Sequence, residues 1–483
     1  MYLPVPLFGY LCDRLGPGIP SALSGGFFGF GYLLAAFTYR SGVPVARGGD
    51  GWPFWVMVLA FVGIGMGTSC MYLAAVSTCA KNFGRGPNRG IALAIPIAAF
   101  GLSGMWQSQV GSRLLYEKTS DGKRGDVDVF RFFLFLGITL LTVGLIGGVA
   151  LKVIDEEKMI DEAVEELEQS GLLPQGDHYY QRAAERRYGT MEPQDLSESQ
   201  VDSLYNHARA LEEEEKRKKT WLLNEETRLF LSDRTMWWLA GGFFLITGPG
   251  EAFINNLGTI IGTLYAPTTS VHTAQTSPAT HVSIVAITST IARLFTGSLS
   301  DILAPTASPN QHRRGPLSMT SSFASLPPVE TKRFTMSRLI FLFVFAIILS
   351  LGQILLASGA IQNHGDRFWI VSTFIGAGYG AVFSLTPIII SVVWGVENFG
   401  TNWGIVAIVP AFGASLWGMI YSGVYQKAAQ DDPMGGDSLC YGTSCYAATF
   451  WAMAISVWIA CGLLLYAWKG PKGWAKRLSL IHI

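Results

Sequence analysis

In the apolar run "LITGPGEAFINNLG", residues 245–258, one carboxyl, Glu251, stands among side chains that avoid water. An ionised group inside hydrocarbon costs at least about 2.5 kcal/mol unless it is paired, hydrated or protonated. A carboxyl kept there has the chemistry of a proton or cation site. Gly248, Pro249 and Gly250 precede it, and this reading expects them to interrupt the helix, because proline removes a backbone donor. Asn255 and Asn256 follow at i+4 and i+5, so one of them shares the Glu251 face, either lining a cavity or bonding a neighbouring helix.

Arg293 is the second buried charge. It precedes Asp301 by eight residues, about 12 Å of helix at 1.5 Å per residue. Its planar fork suits a carboxylate held bidentately; pairing with Glu251 and a snorkelling structural role are the other readings. Asp13 and Arg14, in "GYLCDRLG", and Asp301, in "GSLSD", stand at the ends of apolar runs. There an acid meets helix N-termini and an Arg of a neighbouring span, either latching a closed state or simply capping. Cys440 and Cys445 in "CYGTSC" are candidates for a disulfide or remain thiols.

These groups need elements to hold them. Hydrophobic residues make up 49% of the 483 and charged residues 14%, against about a quarter charged in soluble chains. Apolar stretches near 20 residues recur, the length that crosses about 30 Å of hydrocarbon as helix. Full spans are expected at about 20–39, 53–79, 91–115, 130–153, 236–265, 282–303, 339–361, 368–394, 403–426 and 447–468, with a fragment at 1–12. The chain then divides into a first helix bundle (1–154), a polar linker (155–234) carrying "EEEEKRKK", a second bundle (235–470) with a disordered Ser/Thr/Pro-rich loop at about 304–336, and a tail (471–483). Arg14, Lys81, Arg85, Arg89, Arg338, Lys469 and Lys472 fall on one side, which is cytoplasmic by the positive-inside rule. No His or Cys pair sits at metal or catalytic spacing within a span, so enzyme chemistry is the least favoured class. No cofactor, metal or nucleic-acid partner is expected.

The halves repeat one another. "GIGMG" leading into "KNFGRGPNRGIALAIPIAAFG" parallels "GAGYG" leading into "ENFGTNWGIVAIVPAFG", with the Asn-Phe-Gly triplets at 82–84 and 398–400 in corresponding places, and "GYLCD" parallels "GSLSD". Because "GSLSD" ends the second span of its half, "GYLCD" is expected to do the same, which places one helix and most of another upstream of Met1.

Parallel six-plus-six repeats, the G-x-x-x-D-R-x-G turn and the long linker resemble the major facilitator superfamily. Within it, "MYLPVPLFGYLCDRLGP", "GPGEAFINNLGTIIGTLY" and "IARLFTGSLSD" resemble the fungal monocarboxylate-transporter-homologue family and, more distantly, nodulin-like proteins. The resemblance implies an all-α integral membrane fold, a small organic solute moved by rocking of two bundles, and residence in the vacuolar membrane, with the plasma membrane as the alternative. It also implies an acid four residues before Arg293, where this chain has Ser289. A non-transporting sensor or scaffold on the same fold, or an inactive truncated product, are the competing readings. "EQSGLL", with Glu168, Leu172 and Leu173, fits the acidic dileucine pattern read by sorting adaptors.

Overall fold

The computed structural model describes residues 3–44, 47–118, 124–154, 225–265, 277–303, 336–431 and 440–476. The first half comprises α1 (Val5–Leu15), α2 (Gly18–Arg40), α3 (Phe54–Phe83), α4 (Arg89–Leu114) and α5 (Val129–Ala150). A small antiparallel hairpin, β1 (Tyr116–Lys118) and β2 (Arg124–Val127), joins α4 to α5. The second half follows α6 (Glu225–Ser232) with α7 (Arg234–Asn255), α8 (Leu257–Gly262), α9 (Pro278–Leu303), α10 (Arg338–Ala357), α11 (Phe368–Val393), α12 (Phe399–Ala407), α13 (Val409–Asp431) and α14 (Ala447–Lys469). The chain forms a membrane body (Met1–Lys152, Leu229–Thr306, Phe334–Ile483) and a second unit (Val153–Arg228, Ala307–Arg333), of which 153–154 and 225–228 are described. Glu168, Leu172, Leu173 and the loop residues 304–335 lie outside the described residues.

Nine helices among the described residues are long and apolar enough to cross a membrane. The tenth expected span, α7, has the length at 22 residues but is diluted by Thr, Gly and Glu251. Several helices start where an acceptor side chain stands ready for the orphan N–H groups of a first turn. Asp128 accepts from Arg131 N, Asp233 from Thr235 N and Ser337 from Leu339 N.

Packing repeats between halves. α2 packs on α3 and α5, and α10 packs on α11 and α14, so α2, α3 and α5 correspond to α10, α11 and α14. Asp13 near the end of α1 and Asp301 near the end of α9 then correspond, and α1 matches the final turns of α9. In lipid no hydrophobic force draws helices together, and small residues let backbones touch. At the α2–α5 crossing a Cβ on Gly144 would lie 2.5 Å from Gly25 Cα, and Ser21 Oγ donates to Gly144 O at 3.1 Å.

The structure departs from expectation at three places. Gly248–Pro249–Gly250 does not interrupt α7, which runs through Pro249 to Asn255 and breaks at Asn256. Pro249 cannot donate to the carbonyl of Leu245, and Ser456 Oγ of α14 fills that place at 3.0 Å. The glycines serve close approach: a Cβ on Gly248 would meet Gly413 Cα at 2.8 Å and one on Gly250 would meet the Tyr379 ring at 2.6 Å. The expected 403–426 span instead starts at Phe399 and is broken at Ile408, because Pro410 offers no N–H to the preceding turn. Finally, the polar stretch does not stay solvated up to Arg234. Phe230 of α6 is 1% exposed, its ring edge-on to Trp394 at 5.2 Å, and Trp394 Nε1 donates to Asp233 Oδ2 at 3.0 Å.

Candidate functional site

Two acids tie the halves together at the end of the body that carries Lys81, Arg85, Arg89 and Arg338, here called the basic end. Neither α4 nor α12 has a side-chain cap of its own at Asn88 or Asn398. Each takes its cap from the opposite half. Asp13 of α1 accepts from Gly400 N (3.2 Å), Thr401 N (2.7 Å) and Thr401 Oγ1 (2.8 Å) of α12, and Lys81 Nζ stands 2.8 Å from its carboxylate. Asp301 of α9 accepts from Gly90 N (2.7 Å) and Ile91 N (2.8 Å) of α4, with Arg338 Nη2 at 3.9 Å. A carboxylate on the first-turn N–H groups of a helix satisfies orphan donors and the positive end of the dipole together.

The backbones meet at the same two places. A Cβ on Gly9 would lie 2.0 Å from Gly400 O, and one on Gly90 would lie 2.5 Å from Gly297 O. Arg85 and Glu397 add an ion pair across the seam. This fixes the register of the repeat. Gly90 is the counterpart of Gly400, whereas Gly84 caps the C-terminus of α3, so the two Asn-Phe-Gly triplets, at 82–84 and 398–400, are not equivalent despite their identity. Arg14 departs from the expected latch as well: exposed, its Nη1 donates to Tyr10 OH at 2.8 Å, and Lys81 is the cation beside Asp13.

Deeper in the body, Tyr379 OH of α11 donates to Glu251 Oε1 at 2.6 Å. The Tyr379 ring lies 5.1 Å from Phe383, and Phe243 and Trp403 close the aromatic wall, with Phe243 at 5.3 Å from Phe383 and 5.8 Å from Trp403. Arg293 is 4% exposed, and its Nη1 donates to the carbonyl of Ile97 on α4 at 2.7 Å. Ser384 Oγ reaches the Arg293 carbonyl at 3.4 Å. Since Tyr379 and Ser384 are five residues apart on α11, the Glu251 and Arg293 levels differ by about 7.5 Å of helix rise, with Phe383 between. Tyr72 of α3, its ring 5.2 Å from Phe100, faces the Trp403 indole and feels the Arg293 charge. Ser289, in the place of the family's acid, is 4% exposed with its hydroxyl on Ala286 O and the backbone of Gly380 pressed against it.

The structure separates the two asparagines. Asn256 Nδ2 donates to Ala252 O at 2.8 Å and closes the end of α7, while Asn255 is exposed. Tyr379, Tyr72 and Trp403 were not singled out by sequence reading, and Lys81 was read only as one of the basic residues that orient the chain. Tyr379 stands inside "GAGYG", a run read for its glycines; the aromatic residues carry no spacing signal that separates a cavity wall from core.

At the end opposite the basic one, Cys440 and Cys445 are bonded, which resolves the two sequence readings in favour of the disulfide. The loop they close docks on the second half. Gly442 N donates to Thr263 O (3.0 Å), Gln362 Nε2 to Thr263 O and Leu264 O, and Tyr446 OH to Gln362 Oε1 at 2.9 Å. Burial, helped by Tyr441, pushes the Tyr446 phenol up to about 12, so it stays a proton donor.

Two seams of reciprocal capping between pseudo-repeated helix bundles define a major facilitator fold, and the Major Facilitator Superfamily family model matches residues 3–418. The chain belongs to that superfamily. It is 55% identical over 499 residues to the probable transporter mch1 of Neurospora crassa, covering 99% of this chain and 82% of that one. The probable transporter mch1 of Aspergillus fumigatus is 55% identical, with 99% and 79% covered; the probable transporter MCH1 of Saccharomyces cerevisiae is 26% identical, with 90% and 76% covered. The expected kinship with the fungal monocarboxylate-transporter homologues is borne out. Among solved structures, the proton:xylose symporter XylE bound to 6-bromo-6-deoxy-D-glucose superposes with a TM-score of 0.56 at 11% identity, covering 97% of this chain and 83% of that one. That likeness concerns the fold.

Proposed function

We propose that the protein is a secondary transporter of a small organic anion, a carboxylate in the first instance, which it moves by alternating access. The observation that carries this reading is the reciprocal capping: Asp13 and Asp301 hold the basic end shut through hydrogen bonds that all cross between halves, so closure is reversible without unfolding either half. Such a seam is the two-state element that alternating access needs. Between the seam and the opposite end lie an Arg, a Tyr hydroxyl and an indole N–H for an anionic group, and rings for an apolar body. Asn255, exposed beyond Glu251, is the remaining candidate to meet solute; Asn256 serves the helix end. Glu251 supplies the titratable group for proton coupling, with Tyr379 holding its orientation.

The test is uptake into vesicles of a panel of carboxylates and uncharged isosteres, with and without a pH gradient. Arg293→Lys keeps the charge and loses the planar fork. Carboxylate affinity is expected to fall by about tenfold or more, the worth of one charged hydrogen bond, with uncharged solutes unaffected. Equal affinity in Arg293→Lys removes Arg293 from solute binding.

The basic end faces the cytosol by the positive-inside rule. A reporter fused after Ile483 is expected in the cytosol and one inserted near Gly436 on the opposite side; two reporters on one side refute this topology. The vacuolar membrane is the proposed location, with Glu168, Leu172 and Leu173 as the sorting signal. Changing Leu172 and Leu173 to Ala is expected to divert the protein to the plasma membrane, and unchanged vacuolar residence dismisses the signal.

A further inference from the structure

Arg293 crosses the seam through a gap that a single glycine leaves. Its guanidinium belongs to α9, in the second half, yet its Nη1 donates to the main chain of α4 in the first, at Ile97 O. A Cβ on Gly101 would lie 1.9 Å from Nη1 and 2.9 Å from Cζ. In an α-helix the carbonyl of Ile97 ordinarily receives the N–H of Gly101, so the cation enters where that turn is barest and shares its acceptor. On the other side stand the Tyr72 hydroxyl and the Trp403 N–H. Both atoms are buried and face one another, the Trp403 N–H toward the Tyr72 oxygen, short of full hydrogen-bond geometry. The guanidinium therefore has a main-chain acceptor across the seam and, beside it, two further polar groups, the Tyr72 hydroxyl and the Trp403 N–H.

We propose that Arg293 is a contested donor: with the site empty it bolts the halves together through Ile97 O, and an anionic solute group draws it off that carbonyl, so that occupation itself loosens the seam, with Gly101 as the positioning residue that makes the bolt fit. The proposal rests on the alternating-access reading. It adds a physical link between binding and opening, since a ligand shifts an equilibrium only by interacting differently with the two states. A neutral solute of the same shape has no claim on the guanidinium strong enough to replace a charged hydrogen bond.

Pulsed electron resonance on the full chain in lipid nanodiscs tests it, with spin labels at Phe83 and Ile302, 54% and 75% exposed at the basic ends of α3 and α9, in a background lacking Cys12, Cys70, Cys79 and Cys461. Benzoate serves as the carboxylate probe and benzamide as its neutral counterpart. The unliganded protein is expected to show mainly the short distance, and benzoate, not benzamide, to raise the long one. Gly101→Ala is expected to raise the long-to-short ratio about tenfold or more without any probe and to abolish the benzoate response. Gly104→Ala, on the same helix with nothing within 4 Å of its Cβ, is expected to match the parent. In an Arg293→Ala background Gly101→Ala is expected to add nothing, because the two act through one hydrogen bond. A Gly101→Ala distribution like the parent's, or an equal shift with and without Arg293, overturns the bolt; benzoate and benzamide acting alike overturn the competition. A single distance under every condition sinks the alternating-access reading as well.

Discussion

Asp13→Ala is expected to reduce gradient-driven uptake by at least tenfold while the protein still reaches its membrane. The carboxylate caps two N–H groups and a hydroxyl of α12, and its side chain and that of Lys81 are only 7% and 14% exposed. Removing one partner of such a pair strands the other, at a cost of about 3–5 kcal/mol. The loss weighs on the closed state, because each of the three hydrogen bonds that Asp13 accepts runs from the second half to the first. Asp13→Asn keeps an acceptor for the N–H groups and is expected to fall between the two. Arg14→Ala, although adjacent in the motif, is expected to leave uptake near the parent level, since Arg14 is exposed on Tyr10. Uptake measured in vesicles with matched protein content checks all three; equal loss in Asp13→Ala and Arg14→Ala contradicts this assignment of roles.

Gly9→Ala is expected to abolish transport altogether. The added Cβ would stand 2.0 Å from the Gly400 carbonyl oxygen. Both parties are helix backbone, so no rotamer change relieves the clash and the helices must separate. Within its own half α1 packs on α2 and α3, so the defect lies in closure and not in assembly of the bundle. Gly400→Ala, whose Cβ would meet Gly9 O at 2.7 Å, is expected to reproduce it, whereas Gly26→Ala meets nothing within 4 Å and is expected to be silent. Transport combined with normal abundance distinguishes a protein held open from one that fails to fold. Normal uptake in Gly9→Ala shows that the basic end does not close as the structure has it.

Much of this was legible from the chain because lipid makes strict demands. A half-buried carboxyl at Glu251, a buried guanidinium at Arg293 and acids at the ends of spans are expensive choices, and each marks a place where the structure puts a specific partner. The partners themselves were not legible. Asp13 meets Thr401, 388 positions away, and no local pattern encodes that pairing. The Asn-Phe-Gly triplets misled because identical letters serve different ends: Gly84 terminates a helix, while Gly400 opens one and lets another backbone approach. Pro249 misled because proline breaks a helix only when the carbonyl it leaves goes unanswered, and Ser456 answers it. Asn255 and Asn256 are neighbours with opposite fates, decided by which one falls at the C-cap just past α7.

We propose that half-buried Glu251 couples solute movement to protons as the basic end opens and closes. Glu251→Gln removes the proton and keeps an oxygen to accept from Tyr379, so geometry and folding are preserved. In reconstituted vesicles the variant is expected to exchange labelled for unlabelled carboxylate across the membrane as the parent does, and to lose accumulation driven by a pH gradient. Accumulation undiminished in Glu251→Gln removes Glu251 from proton coupling.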